Sequence, residues 1–363
     1  MAQAQSNVFT QGTPEYETWR TTNINADTPD RYPREIYTVE NVEEVSTAVK
    51  RAADQNLSVG VRSGGHVYHC SPLLDDGILI DTKKLNRRVE YDPVTQEVNF
   101  GPAVQVKEIS AAMYKVDRFF PHGHSPTVAA GGFLLAGGQG WFMRGWGATC
   151  QQWIVRLEIV TASGEVVIAS RSENTDLFWA ARGSGTGFFG VVTKFWGRTI
   201  PAENLFAMGY VFEVGSNFEQ LMDWSFTAGK ATPKYGVDIN MITFYKEAFD
   251  PTLPDDSIPK GAKLLFGVFL TVYTGTIDQA RVLVSAYDSI PANVKPSLID
   301  HSPLAPETWE HCWLTSDAFF GAGHGECWQI NSFCNDPSIP LPKVGTDSSL
   351  EENMVKTNGN VHS

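Results

Sequence analysis

Arg62-Ser63-Gly64-Gly65-His66 directly follows the apolar run Leu57–Val61, and no other stretch of the chain combines residue types so suited to chemistry. A strand that ends in adjacent glycines exposes a row of backbone N–H groups able to close around a pyrophosphate. A histidine fixed in the same turn stands beside whatever hangs from that pyrophosphate, and a neutral imidazole is a nucleophile. Together they suit holding a flavin dinucleotide and bonding to its ring. Taken alone, the pentapeptide reads equally well as a surface turn whose histidine faces water.

A second concentration of glycine lies in Phe119–Gly147, which holds Pro121-His122-Gly123-His124-Ser125-Pro126-Thr127-Val128, then Gly131-Gly132, Gly137-Gly138 and Gly140. So many glycines weaken a simple helix or sheet core. They make sense where backbone must approach a flat, extended ligand. His122 and His124 would share one face of a strand. With no carboxylate or cysteine nearby to complete a metal site, they read as lining a polar cavity or capping a loop. Trp141, Trp146 and Trp153 could stack on a ligand, but aromatic residues at this spacing more often fill a core.

Gly185-Thr186-Gly187-Phe188-Phe189-Gly190 fits the G-x-G-x-x-G dinucleotide fingerprint. Its context is wrong for a Rossmann site, because a helix precedes it and a strand follows. A loop lying against a nucleotide in another fold stays open. His324, in the glycine-flanked loop Gly321–Gly325, is a candidate general base, against the commoner reading of a solvated loop histidine. No catalytic base emerges from the sequence.

The elements that must position these residues follow from periodicity. Asn41 and Glu44 have capping-box spacing, Val42, Val45 and Val49 recur as on a helix, and Leu57, Val59 and Val61 alternate as in a strand. Strands are expected at Gly77–Asp81 and Val98–Phe100, with the polar turn Lys83–Arg88 between them. A helix then carries Val106, Ile109 and Met113. The strands Trp153–Thr161 and Val166–Ala169 flank a turn at Ser163-Gly164. A short helix over Asp176–Arg182 and the strand Val191–Phe195 bracket the last glycine loop. After Ile200-Pro201, Ser216 and Glu219 are expected to cap a helix bearing Phe218, Leu221, Met222 and Ser225 that ends near Gly229. Strands at Val237–Phe244 and Leu264–Tyr273 follow, then a helix opened by Thr276 with Ile277, Ala280, Leu283 and Val284. This pattern describes an α+β chain whose second half is an antiparallel sheet covered by helices.

At 363 residues and 40.0 kDa the chain is long enough for two domains. A net charge of −13 argues against nucleic acid and anionic membrane as partners. An anionic cofactor must then be held by local backbone donors rather than by a basic field. No window approaches the roughly 20 apolar residues of a membrane span. Met1–Thr10 lacks the basic and apolar regions of a signal peptide, so the expected location is cytoplasmic, though a secreted mature form would start the same way. The 5 cysteines, Cys70, Cys150, Cys312, Cys327 and Cys334, are scattered without CxxC spacing, and reduced thiols are the expectation. Nothing in the chain fixes an oligomeric state.

In combination, these segments resemble the FAD-linked oxidases of the vanillyl-alcohol oxidase, or PCMH-type, superfamily, within the berberine-bridge-enzyme-like branch. The resemblance rests on Val61-Arg62-Ser63-Gly64-Gly65-His66, Ser125-Pro126-Thr127-Val128 with Gly131-Gly132, and Gly137-Gly138-Gln139-Gly140-Trp141. It continues through Asp176–Gly183 and Gly190-Val191-Val192-Thr193. It covers residues 30–200 well and 201–340 loosely. The implied architecture is an FAD-binding PCMH-type domain over 1–200, an antiparallel-sheet substrate or cap domain over 201–340, and a polar tail over 341–363.

The resemblance implies that Arg62, Ser63, Gly64, Gly65 and His66 form the loop around the FAD pyrophosphate, with His66 bonded to the flavin 8α carbon. Many relatives carry a second covalent link through a cysteine where this chain has Ser125, so a single link through His66 is expected. Thr127 belongs to the same motif, and Val128 matches a position where a small residue goes with oxidase activity. Gly131, Gly132, Gly137 and Gly138 match backbone lining the cofactor, and Val191 and Val192 match the strand beside the adenine. The implied enzyme is an oxidase that removes hydride from a CH–OH or CH–NH carbon of a small secondary metabolite and passes electrons to O₂, forming peroxide. An oligosaccharide oxidase and a non-catalytic flavin-binding remnant are the alternatives. The usual closing segment, with its Asn-Tyr and Tyr-Asp-Pro motifs, is not seen before Ser363, and with it a common source of the catalytic base.

Overall fold

The computed structural model describes residues 7–25, 27–249 and 259–313. Two compact units divide the chain, Met1–Ala202 and Glu203–Ser363.

The first unit opens with β1 (Val8–Thr10) and α1 (Pro14–Arg20), the latter started by Thr13, whose hydroxyl accepts from the Tyr16 N–H at 3.3 Å. β2 (Glu35–Thr38), α2 (Val42–Asp54), β3 (Val59–Arg62) and β4 (Ile78–Asp81) follow. β2, β4 and β3 run parallel in a four-stranded sheet of order β1-β2-β4-β3, with β1 antiparallel on the edge. The Asn41 side chain accepts from the Glu44 N–H at 2.9 Å and starts α2, which buries Val45, Ala48, Val49 and Ala52. These pack with Ile78 and Ile80 of β4, the helix–strand contact that the valine spacing predicts.

The chain continues through β5 (Glu90–Asp92), β6 (Glu97–Phe100), α3 (Val106–Tyr114) and β7 (Arg118–Phe119), then the short helices α4 (Ala130–Leu135), α5 (Met143–Trp146) and α6 (Thr149–Trp153). β8 (Ile154–Val160), β9 (Val166–Ser170), α7 (Thr175–Ala180), β10 (Val191–Arg198) and β11 (Ile200–Pro201) complete the unit. β5, β6, β10, β8 and β9 form an antiparallel sheet in that order. Its core centres on Phe100, stacked on Phe195 at 6.0 Å and edge-on to Phe120 at 5.4 Å. Gly164 takes φ +75° in the β8–β9 turn, where a side chain would be strained.

The second unit is one antiparallel sheet of order β13-β14-β12-β15 with two helices on it: β12 (Asn204–Glu213), α8 (Phe218–Ala231), β13 (Val237–Tyr245), β14 (Leu264–Thr274), α9 (Ile277–Val284) and β15 (Leu298–Glu307). Leu221, Trp224 and Ala228 of α8 and Ala280 and Val284 of α9 share one core with Phe212, Val268 and Val272. The expected cap of α8 is corrected: the helix begins one residue later, with Asn217 as its N-cap, and runs past Gly229 to Ala231. The Asn217 amide donates to Ser297 Oγ at 2.9 Å instead of capping. β12 is buried along nearly its whole length, and β15 carries two prolines, so neither shows the alternation that marks a strand. Among the described residues no helix is long and apolar enough to cross a membrane. His324 with its loop Gly321–Gly325, Cys327, Cys334 and the polar tail lie outside the described residues.

Candidate functional site

β3 and β4 pair in parallel with Arg62 opposite Asp81, so both strands release their chains at the same sheet edge. Ligands of open parallel sheets collect outside such carboxyl ends. The Arg62 side chain turns away from that edge. Its Nε lies 2.7 Å from Asp81 Oδ2, with both side chains essentially inaccessible. The remaining donors reach the Arg20 carbonyl at 3.2 Å, Asn23 Oδ1 at 3.5 Å and the Trp19 carbonyl. Arg62 therefore fixes the root of the loop, and its guanidinium is fully occupied by protein.

Beyond it, Ser63–His66 behaves as a set of donors. The Gly65 carbonyl accepts from the Ile24 N–H at 2.9 Å. Among the described residues the N–H groups of Gly64, Gly65 and His66 meet no protein acceptor. Gly64, Gly65 and His66 are half-buried, and successive backbone donors without protein acceptors form a concavity of the kind that can take an anion. Gly65 takes φ +73°, and a Cβ there would come within 2.9 Å of the Thr22 carbonyl oxygen. A Cβ on Gly64 would fall 2.7 Å from that of Ala129. Glycine is thus required at both positions by close backbone approach.

That approach brings in the second glycine segment. Ser63 Oγ accepts from the Gly132 N–H at 3.3 Å, and a Cβ on Gly131 would sit 2.8 Å from the same oxygen. A Cβ on Gly132 would meet nothing within 4 Å, so this glycine borders open space. His66 bonds the Thr127 backbone, which joins the first motif to the Ser125–Val128 turn. Burial lowers the His66 pKa, the Thr127 bond opposes this, and the charge of Lys83 lowers it further. The ring is therefore held neutral. Ser125 Oγ is 3.5 Å from Thr127 Oγ1, and the half-buried Val128 accepts on its carbonyl from the Val106 N–H at 3.0 Å.

The remaining candidates distribute differently. Gly137 and Gly138 take φ +105° and +74°, and their carbonyls accept from Cys150 and Thr149 N–H at 3.1 and 2.8 Å. They turn the chain from α4 toward α6. Val191 and Val192 face opposite ways on β10. Val192 enters the core of the five-stranded sheet, while Val191 joins the cluster beneath α2. Val191 also lines a largely apolar cleft of about 300 Å³ together with Val59, Val61, Val160, Phe188 and Phe189. The Gly185–Gly187 turn of the rejected fingerprint is a single 3₁₀ turn leading into that wall.

His122 is buried, with Nδ1 3.0 Å from the Gly123 carbonyl oxygen, and burial lowers its pKa to about 4. His124 packs on Trp141 at 4.4 Å, while Trp146 and Trp153 join the core at 6.0 Å from each other. The tryptophans are core aromatics, except that Trp141 keeps company with a histidine.

Residues 33–170 match the FAD binding domain family. The chain is 40% identical over 187 residues to the FAD-linked oxidoreductase janO of Penicillium janthinellum, an alignment covering 52% of this chain and 41% of that protein. The fold is shared with 6-hydroxy-D-nicotine oxidase from Arthrobacter nicotinovorans, with a TM-score of 0.71 at 21% identity over 86% of this chain and 63% of that one. It is shared also with glucooligosaccharide oxidase from Acremonium strictum, at a TM-score of 0.67 and 19% identity over 85% and 60% of the two chains. Residues 33–170 of the first unit thus match an FAD binding domain, and over that part the chain is similar to FAD-linked oxidoreductases. The matched segment spans about two fifths of the length of such curated relatives.

The residues present fit the family's cofactor. Three unpaired amides suit a diphosphate, and an apolar cleft bordered by Phe188 and Phe189 suits a flat heteroaromatic ring. Sequence reading passed over Lys83, taking it for part of a polar turn. Its signal exists only once β3 and β4 are known to pair in parallel, because that pairing, ending with Arg62 opposite Asp81, puts the turn after β4 beside the loop after β3.

Proposed function

We propose that the chain is an FAD-dependent oxidase, with the cofactor joined through a single bond to His66, acting on a CH–OH or CH–NH carbon of a small secondary metabolite. The observation that carries this reading is the row of amides without acceptors at Gly64–His66, ending at an imidazole held neutral against Thr127. Those amides would hold the diphosphate, and the cleft at Val61, Phe188, Phe189 and Val191 would take the adenine. The ring nitrogen of His66 that does not face Thr127 keeps its lone pair and would form the bond to the flavin. When bound, FAD supplies the two-electron acceptor for the substrate hydride, and an 8α-histidyl substituent raises its reduction potential. Val128, half-buried and short, would leave space for O₂ at the ring.

Chemistry of the thiols favours one link rather than two. Cys150 is fully buried, and burial pushes its thiol up to about 12. Burial likewise raises Cys70. Neither forms the thiolate that attack on a flavin requires, and Ser125 stands where relatives with a second link have cysteine. The glucooligosaccharide oxidase named above is described as carrying both a cysteinyl and a histidyl FAD bond. This chain would keep the second and lack the first.

Purified protein tests the reading. Yellow colour that survives acid precipitation, with peroxide formed on an alcohol or amine, is the expected result. Turnover confined to oligosaccharides would move the substrate class to the sugar oxidases. Colour without turnover on any substrate would favour a non-catalytic flavin-binding protein, and colourless protein would contradict both.

A further inference from the structure

Lys83 lies two residues beyond the end of β4, and the parallel register that sets Arg62 opposite Asp81 makes the chains after β3 and β4 leave the sheet side by side. Thr82 clamps this exit, donating to the Arg62 carbonyl from its N–H at 2.9 Å and from its hydroxyl at 3.1 Å. The Lys83 backbone N–H is held by Asp81 Oδ1 at 2.9 Å. The stem is half-buried, which costs a cation hydration that a partner should restore. No such partner is found among the described residues.

Each neighbouring charge is already committed. Asp81 spends Oδ2 on Arg62 and Oδ1 on the Lys83 amide. Lys84 pairs with Glu40 at 3.1 Å, and Arg87 with Glu108 at 2.5 Å. Lys83 alone in this turn combines partial burial with an ammonium that bonds no carboxylate or carbonyl, and its charge reaches His66. A chain of net charge −13 gains little from leaving a cation half-dehydrated at random.

We propose that Lys83 is the side-chain cation of the diphosphate cradle, supplying to the anion the charge that the amides of Gly64, Gly65 and His66 supply only as dipoles. The proposal rests on the flavin reading above and adds a residue to it. Its consequence is selectivity: Lys83 favours a flavin bearing phosphate over the same ring system without one.

The test uses His66→Ala protein, in which flavin binding is reversible, titrated with FAD and with riboflavin. Adding Lys83→Gln is expected to weaken FAD by about 10- to 100-fold, the range for a charge-assisted contact. Riboflavin affinity should stay within about twofold, since it carries no phosphate. Lys83→Arg should restore FAD binding, and added salt should weaken FAD less in Lys83→Gln than in its parent. Lys83→Met serves as a second neutral variant, with thermal melting to confirm that each protein folds. Equal loss of both flavins, or undiminished FAD affinity in both neutral variants, overturns the role of Lys83 alone. A His66→Ala parent that takes neither flavin overturns the flavin reading, and this proposal with it.

Discussion

The two units handle their polar groups in opposite ways. In the second, β12 and β14 pair without interruption over ten residues, Asn204 through Glu213. Three of its buried aromatic tips bond backbone carbonyls: Tyr210 Oη donates to the Tyr287 carbonyl at 3.0 Å, Tyr287 Oη to the Ser225 carbonyl at 3.1 Å, and Trp224 Nε1 to the Ser289 carbonyl at 3.0 Å. In the first, among the described residues, the glycine loop at Ser63–His66 leaves three amides without acceptors, and nearby Lys83 is half-buried without an anion. Pairing that closes on itself builds scaffold, and pairing left open points to a ligand.

The sharpest way to break this contrast is to injure the closed unit and watch the open one. Phe212→Ala removes a fully buried ring from the core around Trp224 and is expected to cost about 3–5 kcal/mol, read from chemical denaturation. Flavin content per folded chain should not change. A proportional loss of flavin would mean that the cradle depends on the second unit's packing.

A smaller effect tests the first unit. Burial lowers the His122 pKa to about 4 from its ordinary 6.5. Above 6.5 both folded and unfolded chains hold this ring neutral, and its contribution is complete. As pH falls from 6.5 toward 4, the unfolded chain takes up a proton that the folded chain refuses, and stability declines. At about 1.4 kcal/mol per pH unit the loss approaches 3 kcal/mol. His122→Gln should flatten that slope in urea midpoints measured across this range. An unchanged slope would place the proton elsewhere.

The smallest effect should be shared by both units. Thr276 accepts from the Gln279 N–H at 3.3 Å, and Asn41 from the Glu44 N–H at 2.9 Å. Thr276→Ala and Asn41→Ala should each cost about 1 kcal/mol in thermal melts, with flavin unaffected. A much larger loss in one would show that its helix also anchors something beyond its own first turn.

Legibility in the sequence divides along similar lines. Valine spacing in α2 and the Ser163-Gly164 turn could be read because their causes are local. β12 could not, since a strand buried on both faces loses its alternation, and the two prolines of β15 concealed the other. The close backbone approach at Gly64 and Gly65 was legible from the glycines, but the inward turn of Arg62 was not. Its partners, Asp81 and the carbonyls of Trp19 and Arg20, come from distant parts of the chain. Val191 and Val192 looked alike in sequence, and only their opposite faces on β10 separate a cleft wall from a core residue.

The most direct measurement is the mass of the proteolytic peptide containing His66, from wild-type protein and from His66→Ala. The account predicts a wild-type peptide heavier by one flavin moiety, and a variant peptide at its sequence mass whose flavin leaves on acid precipitation. A wild-type peptide at its bare sequence mass, or flavin still attached in the variant, would contradict it.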